Sequence, residues 1–426
     1  MSSGLPDGLL ADLLLAPDRA DAPGQTPITA LTGEESEEEL APYRPWILET
    51  IELERRGVLH GAWLHWRDEA RASVPPAPVP AIWSKLWHEA EPIPLPGWAP
   101  PVPREQCETW HAMLREPAGL RRLLGERQTA LGADFAPGRD LVRVDRDRDL
   151  ARQSIGREGD LWVKVGRLST FEGDASLRVR HSFGHEVHDD ASRDIERHRA
   201  VTEIARRLWP FVGRLPEADE WSQRLADWIG GPVLRTQHIV YFNAPNGGAL
   251  WHHDGFDEPE AGGQRGVLYV QLSGRTAWLA CSIDSLARRV REFLEILEQG
   301  DLPWVMDETS PQLFEEWQRI AGRFPRLRRE LADPGGGLFA SLIGRGEFTA
   351  LCADAGHAFL LGPGDALLLP NHGLERTAMH SVFCADSGPT LALSMALRED
   401  RAYPEVPRRA ASAPGAARRR RRRRRS

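Results

Sequence analysis

The stretch FNAPNGGALWHHDGFDE, residues 242–258, is the part of the chain that decides how the fold is interpreted. Its first half is rich in turn residues, and the second half has the character of a short strand. Side chains two positions apart in a strand point the same way, so His252 and Asp254 are predicted to converge while His253 faces away. Together with a distant histidine, this pair would make a 2-His-1-carboxylate metal site with open coordination positions.

The sequence around this stretch reads as a series of short strands. From residue 155 onward, apolar and polar side chains alternate with the period of half-buried strands, and Gly, Pro and Asn separate the runs. This pattern indicates a sandwich or a barrel. Strands are predicted at LWVKV (161–165), LRVRHSF (177–183), QHIVYF (237–242), VLYVQL (267–272), TAWLAC (276–281), EFTALC (347–352), HAFLL (357–361), DALLL (365–369), MHSVFC (379–384) and TLALSMAL (390–397).

Helices interrupt this series at two places. Ser192 is predicted to cap a helix that runs to Trp209. Between 284 and 333, apolar residues recur at helical spacing, and Ser310 followed by Pro311 predicts a second helix start. Residues 284–333 are therefore predicted to be a helical insertion between two strands, a natural position for a lid or a substrate platform.

The third metal ligand is predicted to come from one of two histidines near the C-terminal strands. PGDALLLP reads as a turn, a strand and a stop, and His380 then lies in the strand MHSVFC. The rival, His372, lies in the loop just after Pro370. His380 is preferred because a strand holds a ligand more firmly than a loop does.

A second group of histidines lies in HSFGHEVHDD, residues 181–190. Its donor types would suit zinc or a second iron. The segment reads more simply as a turn leading into the helix at 192–209, with acids that favour a helix N-terminus. Hydrogen-bonded or solvated histidines are the preferred interpretation of this group, which comprises His181, His185, His188, Asp189 and Asp190.

The two ends of the chain differ from its middle. Residues 1–150 are predicted to be a helical and Pro-rich region, in which ten prolines between residues 74 and 103 predict extended chain. Residues 44–70 and 105–131 are predicted to be helical. Residues 408–426 form an Arg-rich tail, predicted to be disordered, that could bind nucleic acid or an anionic surface through counterion release.

Composition narrows the class of protein. The net charge is −8, and eight consecutive arginines at 418–425 leave −16 for the rest of the chain, which argues against a nucleic-acid-binding core. The four cysteines are far apart and form no C-x-x-C pair, so free thiols are expected. No stretch approaches roughly 18 consecutive apolar residues, and the N-terminus does not read as a signal peptide. A cytoplasmic protein without a membrane partner is expected.

Four motifs, WHHDGFDE, LYVQLSGRTAWLA, GPGDALLLP and MHSV, together resemble the cupin-like Jumonji-C branch of the iron(II)/2-oxoglutarate oxygenases. The resemblance covers roughly residues 155–400. It implies a mainly β fold with helical additions, in which residues 151–407 form a double-stranded β-helix (jelly-roll or cupin) core. It also implies that His252, Asp254 and His380 hold Fe(II), and that 2-oxoglutarate chelates this metal and is converted to succinate.

The sequence departs from this family in the residue expected to bind the distal carboxylate of 2-oxoglutarate. Thr276 stands where the branch often has a lysine, and a desolvated carboxylate needs a cation or several donors. Arg398 is favoured as the replacement because small side chains precede it on the same face of its strand. Arg275 is the alternative, and Tyr241 and Asn243 could add hydrogen bonds.

Three classes of function follow. The leading hypothesis is a dioxygenase that hydroxylates a protein or peptide side chain, or a small metabolite. The second is a non-catalytic or 2-oxoglutarate-independent metal-binding cupin, which the absence of lysine at Thr276 keeps open. The third is an interaction protein that uses its Pro-rich segment and Arg tail on a nucleic acid, and it explains only the ends of the chain.

Overall fold

The computed structural model describes residues 80–116, 118–132, 136–137, 141–145, 148–158, 161–167, 175–183, 193–216, 220–245, 247–255, 259, 262–332 and 337–402. Three predicted features lie outside the described residues: the helix at 44–70, the Arg-rich tail at 408–426 and residues 184–190 of the histidine-rich segment 181–190.

The last eight strands form a double-stranded β-helix. β7, β9, β12 and β14 belong to a large antiparallel sheet in the order β12-β9-β14-β7, and the other four form a small sheet in the order β11-β10-β13-β8. The predicted jelly-roll core is confirmed. The bounds are β7 Val233–Asn243, β8 Gly248–His252, β9 Gly266–Ser273, β10 Thr276–Ser282, β11 Ala358–Leu361, β12 Ala366–Pro370, β13 Ala378–Cys384 and β14 Thr390–Glu399.

Six earlier strands extend the large sheet on both sides. β6 pairs with β7, β5 with β6, and β4 with β5, while β1 pairs with β12 at the opposite edge. The boundary predicted between residues 150 and 151 falls inside β4, so this part of the N-terminal region continues the barrel sheet. The bounds are β1 Ile93–Leu95, β2 Ala136–Pro137, β3 Leu141–Asp145, β4 Arg148–Glu158, β5 Leu161–Arg167 and β6 Leu177–Phe183.

Helices before and after these strands cover the outer face of the large sheet. Together they bury a core that includes Trp87, Trp110 and Trp209. The helix predicted from Ser192 begins instead at Ile195, where the side chain of Asp194 accepts the capping hydrogen bond from the Arg197 backbone. The bounds are α1 Pro80–His88, α2 Arg104–Arg115, α3 Gly119–Glu126, α4 Gln128–Leu131, α5 Ile195–Leu208 and α6 Glu220–Ile229.

The prediction of extended chain throughout residues 74–103 is wrong where α1 lies. Pro80 is the first residue of this helix, a position that tolerates proline, and residues 81–91 contain none. Prolines therefore flank the helix without interrupting it. The chain then does become extended as β1, which pairs with Leu368 and its neighbours in β12.

Helices between β10 and β11 cover the outer face of the small sheet. The side chain of Ser282 caps the first helix, and Ser310 caps the third as predicted. The insertion runs beyond residue 333, and EFTALC is helical rather than a strand. Phe348 and Cys352 are both buried four residues apart, which fits one helical face better than a two-residue alternation. The bounds are α7 Ile283–Gln299, α8 Pro303–Asp307, α9 Pro311–Ala321, α10 Phe324–Leu331, α11 Ala340–Ile343 and α12 Gly346–Cys352.

Two smaller expectations can be compared with the described residues. All four cysteines are buried free thiols, as the sequence predicts. In the part of the chain that the structure describes, no helix has the length and apolar character needed to cross a membrane.

Candidate metal centre

His252, Asp254 and His380 are brought together by two neighbouring strands of the small sheet. Ala249 in β8 pairs with Val382 in β13, and His252 pairs with His380. Three steps along β8 thus match two along β13, so β8 contains a β-bulge. The bulge gives His252 the same inward direction as Ala249, which packs inside the barrel. Asp254 follows in the loop directly after the strand.

The three side chains form a compact group. One ligand atom from each lies within 4.8 Å of the other two, and the described residues contain this one group of the kind that could hold a metal ion. The Nε2 atom of His380 is 3.6 Å from the Oδ2 atom of Asp254, and the rings of His252 and His380 have centroids 4.2 Å apart. His380 is buried, whereas the side chain of Asp254 is 46% exposed, so the group is reached from solvent at one end of the barrel.

The surroundings of His380 favour a neutral imidazole. Burial, together with the neighbouring His252, lowers the pKa of His380 to about 3, although Asp254 acts in the opposite direction. The Nδ1 atom faces the Ala378 carbonyl at 3.4 Å, and the indole of Trp278 stacks on the ring with centroids 5.4 Å apart. A neutral ring whose Nδ1–H points to a carbonyl presents a lone pair on Nε2, the form that binds metals.

The other two histidines near the motif have structural contacts. His372, the rival ligand, lies with its Nε2 atom 2.6 Å from the Trp87 carbonyl and its ring edge-on to the Trp87 indole. His253 faces away from the group, as predicted, with Nε2 2.9 Å from the Ala332 carbonyl. Its Nδ1 atom accepts a hydrogen bond from the backbone of Gly255. Neither joins the metal group.

The loop that carries Asp254 is held by residues that the sequence did not single out. The Gln264 amide donates to the Asp254 carbonyl at 2.8 Å, and the Asn371 amide donates to the Gln264 carbonyl at 2.6 Å. A Cβ on Gly255 would lie 2.9 Å from the Asn371 side-chain oxygen, so any larger residue there would force the Asn371 side chain to shift. The loop between Asp254 and β9 is thus held at Asp254 and at Gln264.

Thr276 lies in a closed hydrogen-bond network deep inside the barrel. Its hydroxyl donates to the Gln271 side-chain oxygen at 2.6 Å and accepts from the Trp278 indole at 3.0 Å. The Tyr269 hydroxyl donates to the same Gln271 oxygen, and the Gln271 amide donates to the Ser273 carbonyl. The position where the resemblance expects a lysine therefore holds a neutral network whose members satisfy one another.

The two predicted arginines lie in different places. Arg275 is at a turn outside the barrel, where its backbone and its Nε atom donate to the Asp386 carboxylate at 2.7 and 3.2 Å. Arg398 is fully buried at the end of β14 and donates to the Gly262 carbonyl in the loop after Asp254. Burial, with a contribution from Arg193, lowers the pKa of Arg398 to about 10, so it remains a cation.

Tyr241 and Asn243 both lie on β7. Tyr241 packs against the apolar residues inside the barrel, and the Ser394 hydroxyl lies 3.5 Å from its own. Burial and the Asp254 carboxylate raise the pKa of Tyr241, while Arg178 and Arg180 on β6 act in the opposite direction. Asn243 is fully buried. The sequence analysis did not single out the two β6 arginines, because the alternation within a strand does not show which strand pairs with it.

His181 from the second histidine group has a structural position. Its Nδ1–H donates to the His238 carbonyl at 2.6 Å, and its Nε2 atom accepts from the Trp209 indole at 3.0 Å. Burial lowers the pKa of His181 to about 4, consistent with a neutral ring that uses both nitrogens. The other members of the group lie outside the described residues.

No protein-family model matches this sequence, and no curated protein sequence matches it. Among solved structures, AviO1 from Streptomyces viridochromogenes Tue57 matches at 12% identity with a TM-score of 0.28, covering 77% of this chain and 97% of that chain. SnoK, a non-heme alpha ketoglutarate dependent carbocyclase from nogalamycin biosynthesis, matches at 9% identity with a TM-score of 0.26, covering 76% and 85%. Scores of this size identify no activity, and the cupin-like fold rests on the strand order.

Proposed function

We propose that this protein is an Fe(II)- and 2-oxoglutarate-dependent dioxygenase that hydroxylates its substrate. The observation that supports this most directly is the convergence of His252, Asp254 and His380 at the accessible end of a double-stranded β-helix. Two imidazoles and one carboxylate are the ligand set of mononuclear non-haem iron oxygenases, and they leave positions for a co-substrate and dioxygen.

The residues present fit an iron ion. His380 would offer its neutral Nε2 atom, His252 its imidazole and Asp254 its carboxylate, in a group with both buried and accessible sides. Bound iron would supply the activation of dioxygen. The balance of the proposed reaction is that 2-oxoglutarate loses carbon dioxide and becomes succinate. One atom of dioxygen enters succinate, and the other converts a substrate C–H bond into C–OH.

The chain's own residues position this chemistry. The link from Gln264 to Asn371 holds the loop of Asp254, and the stacking of Trp278 fixes the ring plane of His380. Apolar residues fill the barrel around the group and limit the access of water. The helical insertion on the small sheet packs beside the same strands and is the part of the chain we assign to substrate contact.

The proposed substrate is a protein or peptide side chain, or a small metabolite. The net charge of −16 outside the arginine run favours a basic peptide over an acidic one.

The test is succinate formation from 2-oxoglutarate by the full chain with Fe(II) and air, in the wild type and in Asp254→Ala and His380→Ala. We expect slow turnover that both variants lose while their circular-dichroism spectra and melting temperatures stay near those of the wild type. Full turnover in either variant would exclude the assigned ligand set.

The alternative is a metal-binding cupin that does not consume 2-oxoglutarate, and the neutral network around Thr276 favours it. Anaerobic calorimetric titration of the iron-loaded protein with 2-oxoglutarate separates the two functions. Binding supports the dioxygenase. Iron binding without any binding of 2-oxoglutarate, together with absent turnover, would replace the dioxygenase with the alternative.

A further inference from the structure

A cavity of about 600 Å³ lies on the outer face of the large sheet, between α5, α6 and β7. Cavities of this size hold small molecules. Its apolar lining comes from the core that the helices bury against the outer face of the sheet, and it includes Val212, Leu215, Leu225 and Met395. The metal group lies on the other side of the large sheet, so a molecule in this cavity would not contact it.

Strand β7 contains a β-bulge where it borders the cavity. Ile239 pairs with Ser394, and Thr236 pairs with Ala396, so three steps along β7 match two along β14. Within the bulge, Gln237 has a φ of 49°. This is the left-handed region, which residues with a Cβ rarely adopt.

The bulge turns two polar side chains toward the same side of the sheet. Arg235 and His238 are three residues apart, and a regular strand would direct them to opposite faces. With the bulge, both line the cavity. A non-glycine residue in a left-handed conformation persists only where its surroundings enforce it, and such residues cluster at binding sites. The strained backbone at Gln237 thus marks the cavity as a candidate site.

Neutral groups fix the direction of the Arg235 guanidinium. It donates to the Pro216 carbonyl and, at 3.0 Å, to the Ser222 hydroxyl. Its central carbon lies 5.1 Å from the centre of the Trp98 ring. These contacts orient the guanidinium in the cavity wall without cancelling its charge.

His238 brings an unsatisfied polar atom to the same cavity. Its side chain is buried, and among the described residues its Nδ1 atom has no hydrogen-bond partner. Burial, together with His181, Arg206 and Arg235, lowers its pKa to about 3, so the ring is neutral. A buried ring nitrogen without a partner is uncommon in folded proteins, and a polar group of a ligand would satisfy it.

The charged residues at the cavity favour an anion. Among the described residues that line it, three are arginines and one is a glutamate. Arg199 is paired with Asp400 and Glu203 with Arg207, so these two contribute least to the net charge. Arg206, by contrast, acts on the ring of His238, as Arg235 does. Guanidinium groups bind carboxylates and phosphates through charge-assisted hydrogen bonds.

We propose that this cavity is a second binding site, which takes a small organic anion with an apolar body. The carboxylate or phosphate of the ligand binds Arg206 and Arg235 and accepts a hydrogen bond from His238, while its apolar body packs on Leu225 and Met395. The site does not depend on the reaction at the metal group, so it stands apart from the proposed dioxygenase function.

The experiment titrates the metal-free full chain with three probes that share a benzene ring, followed by ligand-observed NMR. Phenyl phosphate and benzoate carry an anionic group, and benzyl alcohol carries none. We expect at least one of the anions to bind about tenfold more tightly than benzyl alcohol. The stronger of the two anions shows whether the site takes a phosphate or a carboxylate.

Three variants locate the bound anion. Arg206→Gln is expected to weaken the preferred anion about tenfold, and His238→Phe, which removes the ring nitrogens at similar size, about threefold. Arg329→Gln changes the net charge by the same amount at an exposed position of α10, and it should leave the affinity unchanged. Melting temperatures show whether each variant is folded.

The contrary outcomes are distinct. If neither anion binds, or if benzyl alcohol binds as tightly, the cavity is not an anion site. An affinity in Arg206→Gln equal to that of the wild type places the anion elsewhere on the protein and overturns the proposal. Equal losses in Arg206→Gln and Arg329→Gln would also overturn it, since they would reflect net charge alone. If His238→Phe does not fold, the comparison of Arg206→Gln with Arg329→Gln decides.

Discussion

Two groups of polar side chains lie within the same barrel and differ in how their hydrogen-bonding capacity is used. The deep group consists of Tyr269, Gln271, Thr276 and Trp278, whose side chains donate to and accept from one another. The second group, His252, Asp254 and His380, lies at the accessible end and directs its ligand atoms toward a common centre. The indole of Trp278 contacts both, since it donates to Thr276 and stacks on His380.

This difference indicates that the deep group stabilises the fold and that the group at the accessible end is the one suited to bind a metal ion. A buried polar network that satisfies itself stabilises one packing of the core and offers little to a ligand. Two imidazoles and a carboxylate gathered at one point bring electron pairs together, an arrangement that a cation stabilises. The closed network also occupies the position where the resemblance expects a lysine, so a charge for the distal carboxylate of the proposed co-substrate would have to come from another wall of the barrel.

The largest effect on iron binding is expected at His252, whose neighbour His253 points in the opposite direction. His252→Ala removes a ligand and should weaken iron binding at least about 100-fold, whereas His253→Ala should weaken it less than about tenfold. Titration of the metal-free protein with Fe(II) without oxygen measures both. Equal losses in the two variants would contradict the assignment of His252 to the metal group.

A second prediction concerns His181, which lies on the outer face of the sheet and uses both ring nitrogens in hydrogen bonds. Because its folded-state pKa is lowered to about 4 from 6.5, the unfolded chain takes up the proton first as the pH falls. The contribution of His181 to the free energy of unfolding is therefore fully present above about pH 6.5 and is lost as the pH falls toward 4. The loss is about 2 kcal/mol between pH 7 and pH 5. The buried His238 and His380, whose pKa values are lowered to about 3, add losses of their own over this range. Urea unfolding of the metal-free wild type and of His181→Gln at the two pH values therefore measures the contribution of His181 as the difference between the two losses.

The control for this pH dependence is His88→Ala, which removes an exposed histidine and should leave the loss between pH 7 and pH 5 unchanged. A loss between pH 7 and pH 5 that is the same in His181→Gln as in the wild type would contradict the lowered pKa of His181.

A third prediction tests whether the deep network is closed. Thr276→Val removes a hydroxyl at nearly constant volume and leaves the Trp278 indole N–H without its acceptor. The expected loss is about 1–3 kcal/mol in the free energy of unfolding, with iron affinity nearly unchanged. Thr109→Val, at an exposed position of α2, is the control and should change stability little. A gain in stability would show that the network is not satisfied as described.

The smallest effect is expected at Arg275. Arg275→Ala breaks a partly exposed ion pair with Asp386, which keeps the hydrogen bond from the backbone of residue 275. Such a pair contributes up to about 1 kcal/mol, measurable by urea unfolding. Binding of 2-oxoglutarate should not change, and a loss of more than about tenfold would place Arg275 in the site after all.

Local periodicity in the sequence determined much of this molecule. Alternation of apolar and polar residues located the barrel strands, and the two-residue spacing of His252 and Asp254 predicted their convergence. The preference for His380 over His372 followed from placing one on a strand and the other on a loop, and the structure brings His380 to the pair. The strand pattern and the position of His380 on a strand depend on residues near one another in the chain, whereas the meeting of His380 with His252 depends on the pairing of β13 with β8.

Only the tertiary structure decided which faces meet. EFTALC carries an apolar pattern too short to separate strand from helix, and it became helical because Phe348 and Cys352 pack into the core of the insertion. The inward direction of Arg180 is set by the pairing of β6 with β7, and the neutral setting of Thr276 by Gln271 across the barrel. The pairing of β6 with β7 joins residues about 60 positions apart, and even Gln271 and Thr276, five residues apart, meet only once their two strands have taken their places in the barrel.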